Sequence, residues 1–172
     1  YFADSRWGPR SRSGGFDYRA EADTIVRAVT TKTPVNLQMF KETTAAGLTG
    51  GVVRFDPGTS FTDPSYFLPA FYVVWGRANA SARRAWMDAA TVTREALVAS
   101  INKSTGLGPH SCDFAGGAPK GCAPGDHNCR NVLSEDDAWR VVRNWALDYA
   151  WWAADPRQVG LSNTVLEFFK TR

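Results

Sequence analysis

The chain has 172 residues, of which 44% are hydrophobic and 22% are charged, a balance that is typical of a globular protein and excludes a disordered tail. Its 20 basic and 17 acidic residues leave a net charge of +3, which is too small to indicate binding to nucleic acid. No run of eighteen apolar residues occurs, so no membrane-spanning helix is expected, and the length predicts a single domain over residues 1–172.

The first part of the chain contains three helical patterns and one short extended run. Apolar residues at helical spacing predict a first helix from Tyr18 to Lys32. Residues 52–55 form an apolar run that ends in the turn sequence Asp-Pro-Gly at residues 56–58. A second helix is predicted from Pro69 to about Ala78, and Ser81 is the expected N-cap of a long third helix that ends at about Lys103.

The second part of the chain begins with a long stretch that has no periodicity. Residues 104–133 carry six glycines, three prolines and all the cysteines, and loops of this length are commonly functional or poorly ordered. Ser134 is predicted to open a helix that runs to about Ala154, and residues 161–169 form a last amphipathic pattern. The chain is therefore predicted to be all-α, with about five helices and at most one short extended piece, which suits a helical array or toroid.

Three cysteines and both histidines lie in or beside this stretch. They are Cys112, Cys122, Cys129, His110 and His127. The cysteine spacings match none of the common zinc patterns, so no metal and no other cofactor is predicted. A disulfide between two of the cysteines is favoured over three free thiols, and it would imply an oxidising compartment. The chain opens at Tyr1 with no secretory signal, which was either removed or never included, and we expect a secreted or periplasmic protein.

The segment at residues 62–72 is the first that suits chemistry on a ligand. Aromatic residues make up 13% of the chain, and partly exposed aromatic rings suit the C–H faces of sugars. Two interpretations of the segment are open. Either Asp63-Pro64-Ser65 only marks a helix start with Tyr66 in the core, or Tyr66 stands at a helix mouth and offers its ring and hydroxyl to a substrate.

The second segment places three consecutive acids, Glu135, Asp136 and Asp137, at the start of an aromatic-rich helix. A structural interpretation is strong, because Ser134 and Asp137 are close to a capping box and acids complement the first turn of a helix. In the functional alternative, one carboxylate faces a cleft and activates water. Arg140 would share its face three residues later and keep that carboxylate ionised, as a general base requires.

The two segments together resemble glycoside hydrolase family 8, the inverting endoglucanases and their relatives. Residues 63–72 (DPSYFLPAFY) are similar to the family's D/N-P-S-Y-F-x-P-A-x-Y motif. Residues 136–140 (DDAWR) and 148–151 (DYAW) are similar to its Y-D-A-x-R and D-Y/F-x-W motifs. The opening ADSRWG with YRAEA after it, and the last helix, also match in the family's order. The ordered set covers nearly the whole chain and is identified with the C-terminal half of the family's catalytic domain.

This resemblance implies part of an (α/α)6 toroid, a barrel of six helical hairpins with a long substrate cleft. It implies endo-acting, inverting hydrolysis of β-1,4-glucan, or in some members of chitosan, xylan or mixed-linkage glucan. Asp137 matches the family's catalytic base and Arg140 matches its arginine. Tyr66 matches an aromatic residue that lines the cleft, and Asp136, beside the base, is expected to contact substrate. The partner is then a polysaccharide, with no nucleic acid or membrane.

Two departures from the family pattern matter. Asp136 stands where the motif usually has tyrosine, so two adjacent carboxylates would repel each other and one pKa would rise. The other is length, since about 200 residues are needed for a whole toroid. No counterpart of the general acid is found, and the glutamates that match no acid motif are Glu21, Glu42, Glu95 and Glu167. We expect the acid on an upstream segment, lost or supplied by an N-terminal fragment as a second chain, and weak catalysis by this chain alone.

Three alternatives remain open at the level of sequence. A polysaccharide lyase or sugar epimerase on a similar α-toroid would keep the cleft but use a different base. A non-catalytic glycan-binding or assembly protein would bind polysaccharide without releasing reducing ends. A helical domain unrelated to sugars would use Asp137 only as a cap.

Overall fold

The computed structural model describes residues 1–8, 15–31, 38–121, 125, 133 and 136–171. These residues are mostly helical, as predicted. The helices are α1 (Phe2–Trp7), α2 (Tyr18–Thr31), α3 (Pro69–Ala78), α4 (Arg83–Ser100), α5 (Arg140–Trp152) and α6 (Arg157–Lys170), and 3₁₀ turns span Pro64–Tyr66 and Asp136–Trp139. In the described part of the chain, none of the helices has the length and apolar character that crossing a bilayer requires.

The prediction of at most one extended piece is wrong, because the structure contains a β-hairpin. Strand β1 (Phe40–Ala45) pairs antiparallel with β2 (Leu48–Val53). Ala46 and Gly47 join them with φ angles of 50° and 80°, the pair of positive values that a type I′ turn requires. Strand β1 is polar and rich in threonine, so it contains no apolar run from which a strand could be predicted. Its pairing with β2 provides the stability that its composition does not.

Helix α4 lies at the centre of the molecule and separates two buried clusters. On one side Trp86 packs with Tyr72 of α3 and Val26 of α2. On the other side Val92 and Leu97 belong to a cluster with residues of β2, α5 and α6, namely Val52, Val141, Trp145 and Val165. The six-hairpin toroid stays a prediction, since these helices account for only part of such a barrel.

Several helix ends differ from those predicted. Ser81 is not the N-cap of α4, which begins at Arg83 after Ala82. The Asn79 side chain accepts hydrogen bonds from the Ala82 amide at 3.0 Å and from the Ser81 hydroxyl at 2.8 Å. Asn79 therefore has the capping role that was predicted for Ser81. Helix α6 begins at Arg157 instead of residue 161, because the Asp155 carboxylate accepts from the Arg157 amide at 3.0 Å and caps a first turn that has no apolar pattern.

The segment after α4 is folded back onto the core between two backbone bridges. Thr62 and Cys112 exchange backbone hydrogen bonds of 2.8 Å, and Pro109 bridges to Leu133. Cys112 is a buried free thiol, and burial raises the pKa of this thiol well above its ordinary value. It therefore takes no part in the predicted disulfide. Cys122 and Cys129 lie outside the described residues, as does Ser134 of the predicted capping box.

Candidate active site

The two segments singled out in the sequence meet at one cavity of about 170 Å³. Its lining residues are Phe55, Asp63, Tyr66, His110 and Asp137. They come from the end of the hairpin, the 3₁₀ turn at Pro64–Tyr66, the segment after α4 and the 3₁₀ turn at Asp136–Trp139. Asn144 joins α5, the helix that follows the second turn, to the first turn, because its buried amide donates to the Ser65 carbonyl at 2.7 Å.

Asp137 and Arg140 form the pair that their spacing predicted. The Arg140 Nη1 donates to Asp137 Oδ2 at 2.6 Å, and the Asp137 side chain is 37% exposed. The carboxylate is thus neither buried in the core nor turned away from the cavity. The guanidinium also lies 5.6 Å from the ring centroid of Trp139, which restricts the orientation of the arginine.

Tyr66 is an exposed aromatic residue, with 42% of its surface accessible, so it does not lie in the core. Its ring centroid is 6.0 Å from that of Phe55, which in turn is 5.7 Å from Phe61. Aromatic surface beside a carboxylate is suited to a sugar, whose C–H face contacts the ring while its hydroxyls meet polar groups.

Asp63 has two roles, of which sequence reasoning found only one. Its Oδ1 accepts from the Ser65 amide at 2.7 Å and so caps the 3₁₀ turn, as the punctuation reading of Asp-Pro-Ser implied. It is also buried at the cavity. Burial raises the pKa of Asp63 above its ordinary value. Hydrogen bonds from Ser65 and the electrostatic effect of the nearby His110 oppose this rise, and the negative charge of Asp137 adds to it.

Asp136 and His110 make a second contact at the edge of this site. Asp136 has a left-handed φ of 45°, and its Oδ2 lies 3.5 Å from His110 Nδ1. The contact of Asp136 with substrate stays a prediction, because this residue does not line the cavity. The sequence pointed to His110 only as a neighbour of the cysteines, where no metal site was predicted. The described residues contain no group of three or more side chains that could hold a metal ion.

No glutamate lines this cavity in the described part of the chain. Glu95 receives hydrogen bonds of 2.9 and 2.6 Å from Arg157, and Glu167 is paired with Lys170 at 2.6 Å. The arrangement at the cavity can therefore bind a sugar and remove a proton from water at Asp137, while the described residues supply no glutamate for protonating a leaving group.

Individual known proteins are similar to nearly the whole chain. No family model matches it. The reducing-end xylose-releasing exo-oligoxylanase Rex8A of Paenibacillus barcinonensis is 33% identical over 173 residues, which cover 98% of this chain and 42% of the relative. Endoglucanase C of Ruminiclostridium cellulolyticum is 29% identical over 169 residues, or 98% of this chain and 32% of the relative.

Solved structures agree with these relatives. The L320A mutant of Rex8A in complex with xylose has a TM-score of 0.79 and 31% identity, over 99% of this chain and 43% of that one. A GH8 catalytic-mutant xylanase from Teredinibacter turnerae in complex with xylohexaose has a TM-score of 0.76 and 31% identity, over 99% and 44% of the two chains. The chain belongs to glycoside hydrolase family 8. It spans less than half the length of the curated relatives that it matches.

Proposed function

We propose that this glycoside hydrolase family 8 chain carries the base side of an inverting active site that hydrolyses β-1,4-linked polysaccharide. Asp137 is the base, Arg140 holds its carboxylate in place, and Tyr66 contacts the sugar. The observation that carries the proposal is the meeting of Asp137 and Tyr66 at one open cavity with Arg140 bonded to the carboxylate.

In this mechanism the Asp137 carboxylate takes a proton from water as the water oxygen attacks the anomeric carbon. The glycosidic bond breaks on the opposite face, and its oxygen receives a proton from a carboxylic acid roughly 6.5–9.5 Å from the base. Because no glutamate of the described residues lines the cavity, we place this acid outside them, and its position on an upstream segment stays a prediction. The supply of that segment by a second chain stays a prediction.

Two substrates share the required linkage. The motifs led us to expect β-1,4-glucan cut within the chain, and the names of endoglucanases C, 2 and A are in line with this. Xylan-type chains are the second candidate, because three relatives are named exo-oligoxylanases and one structural neighbour contains xylohexaose. Polymers of this kind are met outside the cytoplasm, so secretion or a periplasmic location belongs to the proposal.

The proposal is tested on the chain alone and on a chimera in which it replaces the aligned part of Rex8A. We expect the chimera to release reducing ends from cellohexaose or xylohexaose, and the chain alone to be weakly active. Asp137→Asn should lower kcat about 10²- to 10⁴-fold with little change in KM, the usual size of a general-base contribution. Asp88→Asn is the matched control, since Asp88 is paired with Arg84 on α4 and lies outside the cavity.

The products distinguish the alternatives. Proton NMR of the first hydrolysis product should show the α-anomer, because inversion at a β-linkage gives α. Ultraviolet absorbance of an unsaturated end would identify a lyase, and binding without new reducing ends would identify a glycan-binding protein. A chimera that keeps its activity after Asp137→Asn would rule out Asp137 as the base.

A further inference from the structure

His110 lies at a point where two walls of the cavity are tied to each other. Two residues after it, Cys112 is bridged to Thr62, the neighbour of Asp63. One residue before it, Pro109 is bridged to Leu133, three residues ahead of Asp136. The backbone at His110 is therefore fixed relative to both carboxylate-bearing segments, and its side chain is only 11% exposed.

The imidazole is directed at the residue that precedes the proposed base. His110 Nδ1 is buried and makes no hydrogen bond within the described residues, and it lies 3.5 Å from Asp136 Oδ2. Asp136 has a left-handed backbone, a conformation that non-glycine residues adopt at a cost and keep only where their surroundings hold them. His110 contacts the side chain of this residue, which directly precedes Asp137.

The charges around His110 explain why an imidazole suits this position. Asp63 and Asp137 line the cavity with it, and Asp136 lies against its Nδ1. Arg140 is bonded to Asp137, and His110 lines the cavity together with Asp63. Asp113 of the same segment is turned away, since its Oδ1 accepts from two backbone amides and its Oδ2 lies 3.4 Å from Lys120. A proton on Nδ1 would face the Asp136 carboxylate, which lies 3.5 Å away and directly precedes a second acid, Asp137.

We propose that His110 is a positioning residue that acts through Asp136 to hold the 3₁₀ turn at Asp136–Trp139, and with it the Asp137 carboxylate, toward the cavity. This inference rests on the proposed function for its consequence in catalysis, but the contact itself can be tested without activity. It also gives a role to Asp136, which stands where the family motif usually has tyrosine. In this role Asp136 contacts His110 instead of the substrate.

The first test is spectroscopic and uses the full 172-residue chain. The backbone amide signal of Asp137 is followed in His110→Ala, His110→Asn and Asp136→Asn by two-dimensional NMR. The asparagine side chain places an N–H donor near the position of Nδ1, so His110→Asn should keep the Asp137 signal close to that of the unchanged chain. His110→Ala and Asp136→Asn should move it in the same direction. Equal shifts in His110→Ala and His110→Asn, or no shift in either, would overturn the inference.

The second test is kinetic and uses the hydrolysis assay described above. Loss of the contact in His110→Ala should lower kcat about 10- to 100-fold, the effect of a small misplacement of a catalytic group, with KM changed less than about twofold. His110→Gln, whose donor lies near the position of Nε2, should behave like His110→Ala, whereas His110→Asn should recover most of the activity. The effects of His110→Ala and Asp136→Asn should be less than additive, because both remove the contact between these two residues.

The outcomes separate this inference from the function on which it rests. A rise in KM with kcat unchanged would show that His110 binds sugar directly and would overturn the positioning role, as would additive effects of the two substitutions. An inactive chimera of unchanged sequence would count against the proposed function, and the NMR comparison then decides the inference alone.

Discussion

Two carboxylates of the same helical region, Asp137 and Asp148, have opposite surroundings. Asp148 is fully buried, and Arg94 donates to both of its oxygens at 2.7 and 2.8 Å. Gln158 adds a third hydrogen bond at 2.7 Å. Asp137 is 37% exposed and receives one short hydrogen bond from Arg140. A carboxylate whose oxygens are all engaged by fixed donors cannot take a proton from water, whereas one that is held on one side and open on the other can.

The region around Asp148 is a scaffold that joins three helices. Arg94 of α4, Asp148 of α5 and Gln158 of α6 meet in the interior. Beside them Arg157 is bonded to both Glu95 and Asp155. At the cavity, His110 lies 3.5 Å from Asp136, and Asn144 donates to the Ser65 carbonyl at 2.7 Å. Asp148 in the second half of α5 is thus held by buried charged and polar partners, while Arg140 at the first residue of the helix is bonded to the carboxylate that faces the cavity.

The largest expected effect comes from breaking the scaffold at Asp148. Asp148→Ala leaves the guanidinium of Arg94 buried without its partner, and removal of one member of a buried pair typically destabilises by about 3–5 kcal/mol. We expect a loss of this size in the free energy of unfolding from urea titration followed by circular dichroism. If the variant does not fold, Asp148→Asn, which keeps the volume and one acceptor, should show a smaller loss.

The control for this prediction is an ion pair of similar length at the surface. Glu167 and Lys170 are 2.6 Å apart and about two-thirds exposed, so Glu167→Gln should change the free energy of unfolding by less than about 1 kcal/mol. Asp137→Asn should also lie near this lower value. A change at Asp137 as large as that at Asp148 would mean that Asp137 is a structural residue and would remove the contrast between the two regions.

The sequence located the helices that bury an apolar face and the two segments that form the cavity. Helices α2, α4 and α5 lie close to where apolar spacing predicted them, because that spacing directly reports a buried stripe, and α3 begins at Pro69 as the proline predicted. Tyr66 and Asp137 were found through ordered motifs and meet at the cavity as expected. The signals for these helices and for the two segments are local in the chain, while the roles of Tyr66 and Asp137 stay predictions.

What the sequence missed depends on contacts between distant residues. The first strand of the β1–β2 hairpin is polar, and it is a strand because it pairs with β2. Arg94 and Asp148 are 54 residues apart in the sequence, and no local pattern predicts their contact. His110 was missed as a site residue for the same reason, since the bridges of Thr62 to Cys112 and Pro109 to Leu133 bring it to the cavity. The Asp-Pro-Ser sequence gave a signal for a cap at Asp63 but none for the cavity beside it.

A smaller effect, with a defined pH dependence, is expected from Asp155 in the scaffold. Burial alone would raise the pKa of Asp155, but hydrogen bonds from Arg157 and the charges of Arg157 and Arg94 outweigh it and lower the pKa. A carboxyl group with a lowered folded pKa stabilises the protein above its unfolded pKa, and this contribution disappears as the pH falls through the folded value. Asp155→Asn should therefore destabilise by about 2 kcal/mol at neutral pH and less in acid.

Urea titrations at several pH values between neutral and strongly acidic measure this difference. The curves of Asp155→Asn and the unchanged chain should converge toward low pH. Curves that remain parallel would show that Asp155 acts as a neutral cap of α6 and not as an ionised partner of Arg157.

The smallest effect is expected at Asp63, and its sign is opposite. Burial raises the pKa of Asp63, so the folded state binds more protons than the unfolded state between the ordinary and the raised value, and stability falls as the pH rises through that interval. Asparagine keeps the acceptor for the Ser65 amide and removes the buried charge. Asp63→Asn should therefore raise stability at neutral pH by less than about 1 kcal/mol, and the gain should vanish in acid.

The same urea titrations place Asp63→Asn beside Asp155→Asn. Opposite slopes against pH would show that the cavity keeps a buried carboxyl at the expense of stability while the scaffold uses one to increase it. Asp63 lines the cavity together with Asp137 and His110, so a destabilising charge at Asp63 would be a property of the site. Destabilisation by Asp63→Asn at neutral pH would instead make Asp63 a cap of the 3₁₀ turn and nothing more.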